Sequence, residues 1–427
     1  MPDTSRSKRV LIYSHDSFGL GHVSRCRTIA NAIVEADKSV SVLILSGSPV
    51  IGSYEFRSGI DFVRIPGVVK QIDTGEYDSA NLRLNVEHTL AMRTRIIKDT
   101  ADIYRPDLFI VDTEPTGLRG EVLPALRMLK ERGTPLVLGL RDVMDDPDKL
   151  AAEWQRKKVV PALRDIYEEI WIYGLPQINK PLTGIEVPPS VRHKMVYTGY
   201  LHRDLPLHTD APHEMEEFDE PYILVTPGGG GDGVDLVDWV LSANERVPHI
   251  PYGAMIVFGP FMAAAAREHF KERAAKFRNI RTLTFTNNLG ALMKDAAGVV
   301  AMGGYNTFCE ILSFDKKAII VPRTRPRLEQ YIRTRAARNL GLLEMLSAEG
   351  WRDPFIMATA LRQLPQQGVP SDVVVPGLLD GVGNVMRLVH KQLLHPHRGP
   401  AALEADVEAD DSTADAPATV PPARRRS

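Results

Sequence analysis

Two doubly wound, Rossmann-like α/β domains facing each other across a cleft are predicted by three features of this sequence. Short, almost uninterrupted apolar runs recur along most of the chain, helical patterns separate them, and the whole series halts at a polar stretch and then restarts. Runs that are apolar throughout, rather than alternating, are what strands of a parallel sheet covered on both faces require. The first run is 9–14, followed by a glycine-bearing loop and a helical pattern over 22–35. Further strands are predicted at 40–45, 62–65, 108–111, 136–140 and 169–173, with helices at 86–104, 117–132 and 148–168. The Pro- and acid-rich stretch 202–221 is the break. Beyond it, strands are predicted at 222–226, 254–258, 280–285, 298–302 and 318–321, with a helix at 234–244. A last helix is predicted over 377–394 and packs back across the domains.

The resulting division is a disordered start at 1–8, a first domain at 9–200, a linker at 201–221, a second domain at 222–376, a terminal helix at 377–395 and a disordered tail at 396–427. The tail is rich in Ala, Asp, Glu and Pro, a composition that cannot bury a core. A chain of 427 residues exceeds one ordinary core, in keeping with two domains. Its 44% hydrophobic and 25% charged content is that of a globular protein, and a formal charge of -2 gives no general nucleic-acid surface. Two cysteines, Cys26 and Cys309, make no disulfide framework, so a reducing cytoplasm is expected. No apolar run approaches the roughly 18 residues that span a bilayer, which leaves peripheral attachment at the inner face of a membrane as the one membrane relation open.

Three glycine turns carry the chemistry. Each follows a strand and opens a helix, where free backbone N–H groups can hold an anion. In the turn Gly303-Gly304 the glycines let the backbone approach a phosphate, and Asn306 and Thr307 either cap the helix or touch that phosphate. Glu310 lies between one and two turns further on, placed to accept hydrogen bonds from ribose hydroxyls. After the strand 318–321, a loop delivers Glu329 and Gln330, two more hydroxyl readers. Phosphate, ribose and sugar readers in that order describe a nucleotide-sugar pocket. The run Gly228-Gly229-Gly230-Gly231-Asp232-Gly233 is a second candidate nest for a diphosphate, although Asp232 as an N-cap would put a negative charge beside it. The third turn, Gly19-Leu20-Gly21-His22, ends the first strand and places His22 on the cleft wall, where a neutral imidazole can serve as general base. Short motifs recur by chance, so a structural histidine competes with that reading. Glu114 and Arg141, each just past a first-domain strand, are candidate acceptor contacts. The arginines Arg323, Arg325 and Arg327 form either a solvated loop or a site for an acidic acceptor. No zinc-type ligand spacing and no Asp-x-Asp pair occurs, so metal independence is expected.

These residues resemble those of glycosyltransferase family 28, whose members include the MurG-type enzymes. The likeness rests on Gly303 through Glu310, Val321-Pro322, Glu329-Gln330 and Asn339-Leu340-Gly341-Leu342, with the loops at Gly19 and Gly228 in the same order. It implies a GT-B architecture, with the donor held by the second domain and the acceptor by the first. It also implies an inverting, metal-independent transfer from a nucleotide-diphosphate sugar, usually UDP-linked, with no cofactor. By position, Glu310 would bind ribose, Glu329 and Gln330 the transferred sugar, and Gly228, Gly229, Gly230, Gly303 and Gly304 the diphosphate. His22 would be the base, Phe285 would border the nucleobase and Arg203 would approach the phosphates. The first loop has fewer glycines than the family pattern, the second reads Gly230-Gly231-Asp232 in place of small polar residues, and 67–95 has no counterpart. Acceptor identity is therefore not inherited. The expected activity moves a hexose or N-acetylhexosamine from a UDP-sugar to a hydroxyl on a lipid-linked, cell-envelope, polysaccharide or natural-product acceptor. The rival readings are a nucleotide-sugar 2-epimerase and a non-catalytic nucleotide-sugar-binding subunit.

Overall fold

A computed structural model describes residues 7–15, 21–70, 76–205, 221–286, 288–347 and 349–394. Gly19, most of the predicted linker and the predicted tail lie outside these residues.

The first domain contains strands β1 (Arg9–Ser14), β2 (Ser41–Ser46), β3 (Ile60–Arg64), β4 (Val68–Lys70), β5 (Tyr77–Ser79), β6 (Leu108–Asp112), β7 (Leu136–Arg141), β8 (Glu169–Tyr173) and β9 (Met195–Tyr197). Seven of them form one sheet in the order β3-β2-β1-β6-β7-β8-β9, parallel throughout. Its helices are α1 (Gly21–Ala36), α2 (Val86–Tyr104), α3 (Leu123–Glu131), α4 (Pro147–Arg156), α5 (Val159–Asp165) and α6 (Pro189–His193). The apolar runs explain the layering, because a strand sends successive side chains to opposite faces. Val10 and Ile12 join the core under α1, while Leu11 and Tyr13 join a second core on the other face with Ile97 of α2 and Leu126 of α3.

The second domain repeats the plan with β10 (Tyr222–Thr226), β11 (Gly253–Val257), β12 (Ile280–Leu283), β13 (Gly298–Ala301), β14 (Ala318–Ile320) and β15 (Glu344–Met345). They form a parallel sheet ordered β12-β11-β10-β13-β14-β15. Helices α7 (Val234–Arg246), α8 (Ala264–Ala274), α9 (Leu289–Asp295), α10 (Tyr305–Ser313), α11 (Glu329–Asn339) and α12 (Pro354–Gln363) cover it. The expected α/β class of two Rossmann-like domains is the observed one. Helix α13 (Gly381–Leu394) returns to the first domain and packs on α1. There Asn384 Nδ2 donates to Thr198 O at 2.7 Å and Lys391 Nζ to Glu169 at 2.7 Å. Among the described residues no helix is long and apolar enough to cross a membrane.

Two predicted helices of the first domain are shorter than expected, and proline is the reason in both; the last helix starts at Gly381 rather than at 377. The stretch 148–168 divides into α4 and α5 because Pro161 tolerates only the first turn of a helix, and the chain turns at Lys158, with φ +52°. Pro124 likewise sets the start of α3 at Leu123, after a 3-10 turn at Leu118–Gly120. Within the unplaced stretch 67–95, β4 pairs antiparallel with β5, and α2 follows. Arg93 fastens α2 to the turn before α3 through a buried two-pronged pair with Glu121, 2.6 Å on each prong.

The domains are locked together by polar groups inside a continuous apolar core. Arg333 of α11 donates to Asp142, just past β7, from Nε at 2.7 Å and Nη2 at 2.6 Å, and both side chains are fully buried. Tyr200 OH donates to the same carboxylate at 2.7 Å, and Arg333 Nη1 reaches Gly303 O at 3.1 Å. Removing one partner of such a pair strands a buried charge. Asp142→Ala should therefore lower stability by roughly 3–5 kcal/mol in denaturant titration. Arg95→Ala breaks only the exposed Arg95–Asp99 pair and should cost under about 1 kcal/mol; equal losses would refute the latch.

Candidate functional site

The carboxyl ends of both sheets open onto one cavity of about 1900 Å³, the place where parallel α/β sheets bind ligands. Its second-domain wall is built from the two glycine turns. Gly228, Gly230 and Gly303 sit at φ +77°, +88° and +78°, a region that excludes most side chains. A Cβ on Gly230 would lie 2.2 Å from Phe258 O, whereas one on Gly304 would meet nothing within 4 Å. Gly304 therefore brings bare backbone to the cavity, and so does Gly228, which also has open space around it. Gly229 lies against Phe261.

Gly304 caps α10 without any side-chain hydrogen bond, so the N–H groups of that first turn stay available to an anion. Neither Asn306 nor Thr307 caps this helix. Asn306 instead bridges the domains: its Nδ2 donates to Gly21 O at 3.0 Å and its Oδ1 accepts from Arg203 Nη2 at 2.7 Å. Thr307 is buried on the cavity wall. Arg203, expected near the phosphates, lines the cavity and also acts as a strut, donating to Ser24 O at 3.2 Å and to Thr28. Asp232 does not cap α7, whose N-cap is Gly233; its carboxylate pairs with Arg323. That pairing removes the negative charge expected beside the glycine nest.

Glu310 lines the cavity half-buried, and burial pushes its carboxyl up to about 7 although Arg203 and Arg27 pull the other way. Glu329 and Gln330, the first residues of α11, are buried at the cavity edge. Arg323 Nη2 donates to Glu329 Oε1 at 2.7 Å, and the Arg323 backbone N–H donates to Gln330 Oε1 at 3.1 Å. Burial raises the Glu329 carboxyl, but Arg141 and Arg323 outweigh it and hold the group below the usual range. Of the three loop arginines, Arg325 is exposed and the other two are paired. Arg323 bridges Asp232 and Glu329, and Arg327 reaches Glu153 at 3.4 Å and Asp145 at 3.9 Å in the first domain. Phe285 lines the cavity with its ring partly exposed.

On the opposite wall His22 opens α1, and its Nδ1 lies 2.6 Å from Asp112 Oδ2 at the end of β6. Arg25 grips the same carboxylate, Nε to Oδ1 at 2.7 Å and Nη2 to Oδ2 at 2.6 Å. Burial opposes ionisation of Asp112, but Arg25 and His22 hold it well below the usual carboxylate range. An ionised carboxylate only accepts, so it fixes the proton on Nδ1 and leaves the Nε2 lone pair of His22 for the cavity. His15 stands edge-on to His22, with ring centres 5.8 Å apart, and burial keeps it neutral. Arg141 lines the cavity, but Glu114 does not: its carboxylate is taken by Lys157 Nζ at 3.1 Å. Asp112 and Arg25 were missed. Asp112 is the residue after the predicted strand 108–111, a position that faces the cleft by the same rule that singled out Glu114.

Residues 222–349 match the model of the glycosyltransferase family 28 C-terminal domain. An uncharacterized glycosyltransferase of Methanosarcina acetivorans is 21% identical over 403 residues, covering 88% of this chain and 96% of the relative. The UDP-N-acetylglucosamine–N-acetylmuramyl-(pentapeptide) pyrophosphoryl-undecaprenol N-acetylglucosamine transferase of Pseudothermotoga lettingae is 27% identical over 135 residues, 32% of this chain and 35% of the relative. Among solved structures, Phytolacca americana UGT2 complexed with UDP-2fluoro-glucose and pterostilbene superposes with a TM-score of 0.57 at 12% identity, covering 96% of this chain and all (100%) of that one. The chain is a glycosyltransferase of the GT-B fold, and its second domain is of the family 28 C-terminal type.

Two measurements test the site's construction. Gly230→Ala should lose roughly 1–3 kcal/mol of stability while Gly304→Ala loses almost none, read by thermal denaturation. Glu310, raised in the folded state, binds a proton there more tightly than in the unfolded chain. Its contribution to stability is complete below about 4.5 and is lost as pH rises through about 7. Glu310→Gln should therefore flatten the decline in Tm between pH 5 and 8, and an unchanged slope would exclude the buried carboxyl.

Proposed function

We propose that this glycosyltransferase moves a hexose or N-acetylhexosamine from a UDP-sugar to a hydroxyl acceptor, with inversion and without a metal. The observation that carries the proposal is the pairing, in one cavity, of an oriented imidazole and an uncapped helix N-terminus. His22 Nε2 takes the acceptor proton as the acceptor oxygen bonds to C1 of the sugar from the face opposite the diphosphate. The C1–O bond breaks, its electron pair passes to the departing UDP, and the N–H groups of α10 and of the Gly228 loop receive that charge. Asp112 remains an anion and steadies the imidazolium that forms.

Donor binding is assigned to the second domain. Glu310 reads the ribose hydroxyls, Phe285 borders the base, and Glu329 with Gln330 reads the transferred sugar, where Arg323 has already oriented both. The UDP assignment draws support from the UDP-2fluoro-glucose held by the Phytolacca americana structure and from the donor in the name of the Pseudothermotoga lettingae relative. The first domain supplies the acceptor wall. Both cysteines are free and buried, in keeping with a proposed cytoplasmic setting.

His22→Ala should lower kcat by roughly 10²–10⁴-fold while leaving UDP affinity within about twofold. Glu310→Ala should weaken UDP binding instead. Full turnover by His22→Ala would reject the base, and an epimer formed from the UDP-sugar alone, with no acceptor present, would replace transfer by isomerisation.

A further inference from the structure

Arg141 differs from the other arginines that gather near it. Arg25 is held by Asp112, Arg333 by Asp142, Arg323 by Asp232 and Glu329, and Arg327 by Asp145 and Glu153. Among the described residues the Arg141 side chain has neither a hydrogen bond nor an ion pair, and its Nε is buried without a partner. It nevertheless lines the cavity, at the end of β7. Burial brings its guanidinium down to about 10; Glu329 opposes that shift, and Arg25, Arg333 and Arg327 add to it. A cation withdrawn from water with no counter-ion is costly, and a ligand that brings the anion relieves the cost.

Its surroundings identify the anion. Arg25 and Arg333, which both act on Arg141, flank the ring of Tyr305 at 5.3 and 5.5 Å, and Tyr305 is the first residue of α10. Arg333 also holds Gly303 O, in the turn that feeds this helix. Glu329, whose field Arg141 shares, begins α11. Arg141 thus lines the same cavity as Gly304, at the uncapped turn of α10, and Glu329, at the start of α11. The adjoining residue, Asp142, is pinned to the second domain by Arg333, so Arg141 is held ready rather than swung in.

We infer that Arg141, a first-domain residue, is a contact for the diphosphate of the donor, gripping the phosphate from which the sugar departs. The inference rests on the nucleotide-sugar reading above and moves Arg141 from the acceptor side to the leaving group. As the C1–O bond breaks, the electron pair settles on that phosphate, and the guanidinium neutralises it through hydrogen bonds without giving up a proton. The donor is then bound fully only when both domains contribute. An anionic group on the acceptor is the other source of the same chemistry.

The test is calorimetric titration of UDP and UMP into the full chain and into Arg141→Ala and Arg141→Lys. UDP affinity should fall roughly tenfold to hundredfold in Arg141→Ala. UMP, which lacks the second phosphate, should bind within about twofold of its wild-type value, and Arg141→Lys should recover part of the UDP affinity. The ligand-free Tm of Arg141→Ala should not fall, because an unpaired charge has been removed. Equal losses for UDP and UMP would overturn the inference. So would unchanged UDP affinity, and a raised acceptor KM beside it would hand Arg141 to an anionic acceptor. No binding of UDP, GDP or dTDP to the wild type would overturn the nucleotide-sugar reading, and this inference with it.

Discussion

Two buried arginine–aspartate pairs hold this molecule in its working shape. Asp112 ends β6 and Asp142 follows β7, so neighbouring strands of the first sheet present carboxylates side by side at their carboxyl ends. Arg25 of α1 takes the first and Arg333 of α11 takes the second, each through two nitrogens. The two guanidinium groups then sit on Tyr305, the first residue of α10, which is buried between the domains. A buried ion pair gains little over apolar packing, but it tolerates few geometries. Here that restriction falls on the relation between an imidazole on one domain and a helix N-terminus on the other.

The rest of the site inherits its order from this arrangement. His22 shares Asp112 with Arg25, so the group that orients the imidazole is the group that anchors α1. Gly303 shares Arg333 with Asp142, so the turn proposed to admit phosphate is fixed by the latch between domains. Asn306 and Arg203 add a second set of bridges beside it, tying the starts of α1 and α10 together. Asp112, Asp142, Asp232 and Glu329 are all committed to arginines, which lessens the repulsion a phosphate group would meet.

Much of this was legible in the sequence, for identifiable reasons. Parallel strands covered on both faces must be apolar throughout, so 9–14, 108–111 and 222–226 could be found without a fold in mind. Gly228, Gly230 and Gly303 occupy backbone regions closed to other residues, and glycine after a strand marks such places. Helix ends were less readable around Pro124 and Pro161, although the missing N–H of each was in plain view. Asn306, Arg203, Glu114 and Asp232 were less readable for another reason. Each has a polar side chain suited to a ligand, and each spends it on a protein partner that sequence order does not disclose.

Sequence alone determined the two parallel sheets and the two glycine turns of the second domain, and it marked His22, Glu310, Glu329 and Gln330, which all line the cavity, because periodicity and backbone sterics act over a few neighbouring positions. Tertiary structure alone decided which charges are spent and which remain. The pairs that settle it join residues 90 positions apart, as His22 and Asp112, or 191 apart, as Asp142 and Arg333. Electrostatic pairing depends on distance through space, and only the folded chain sets that distance.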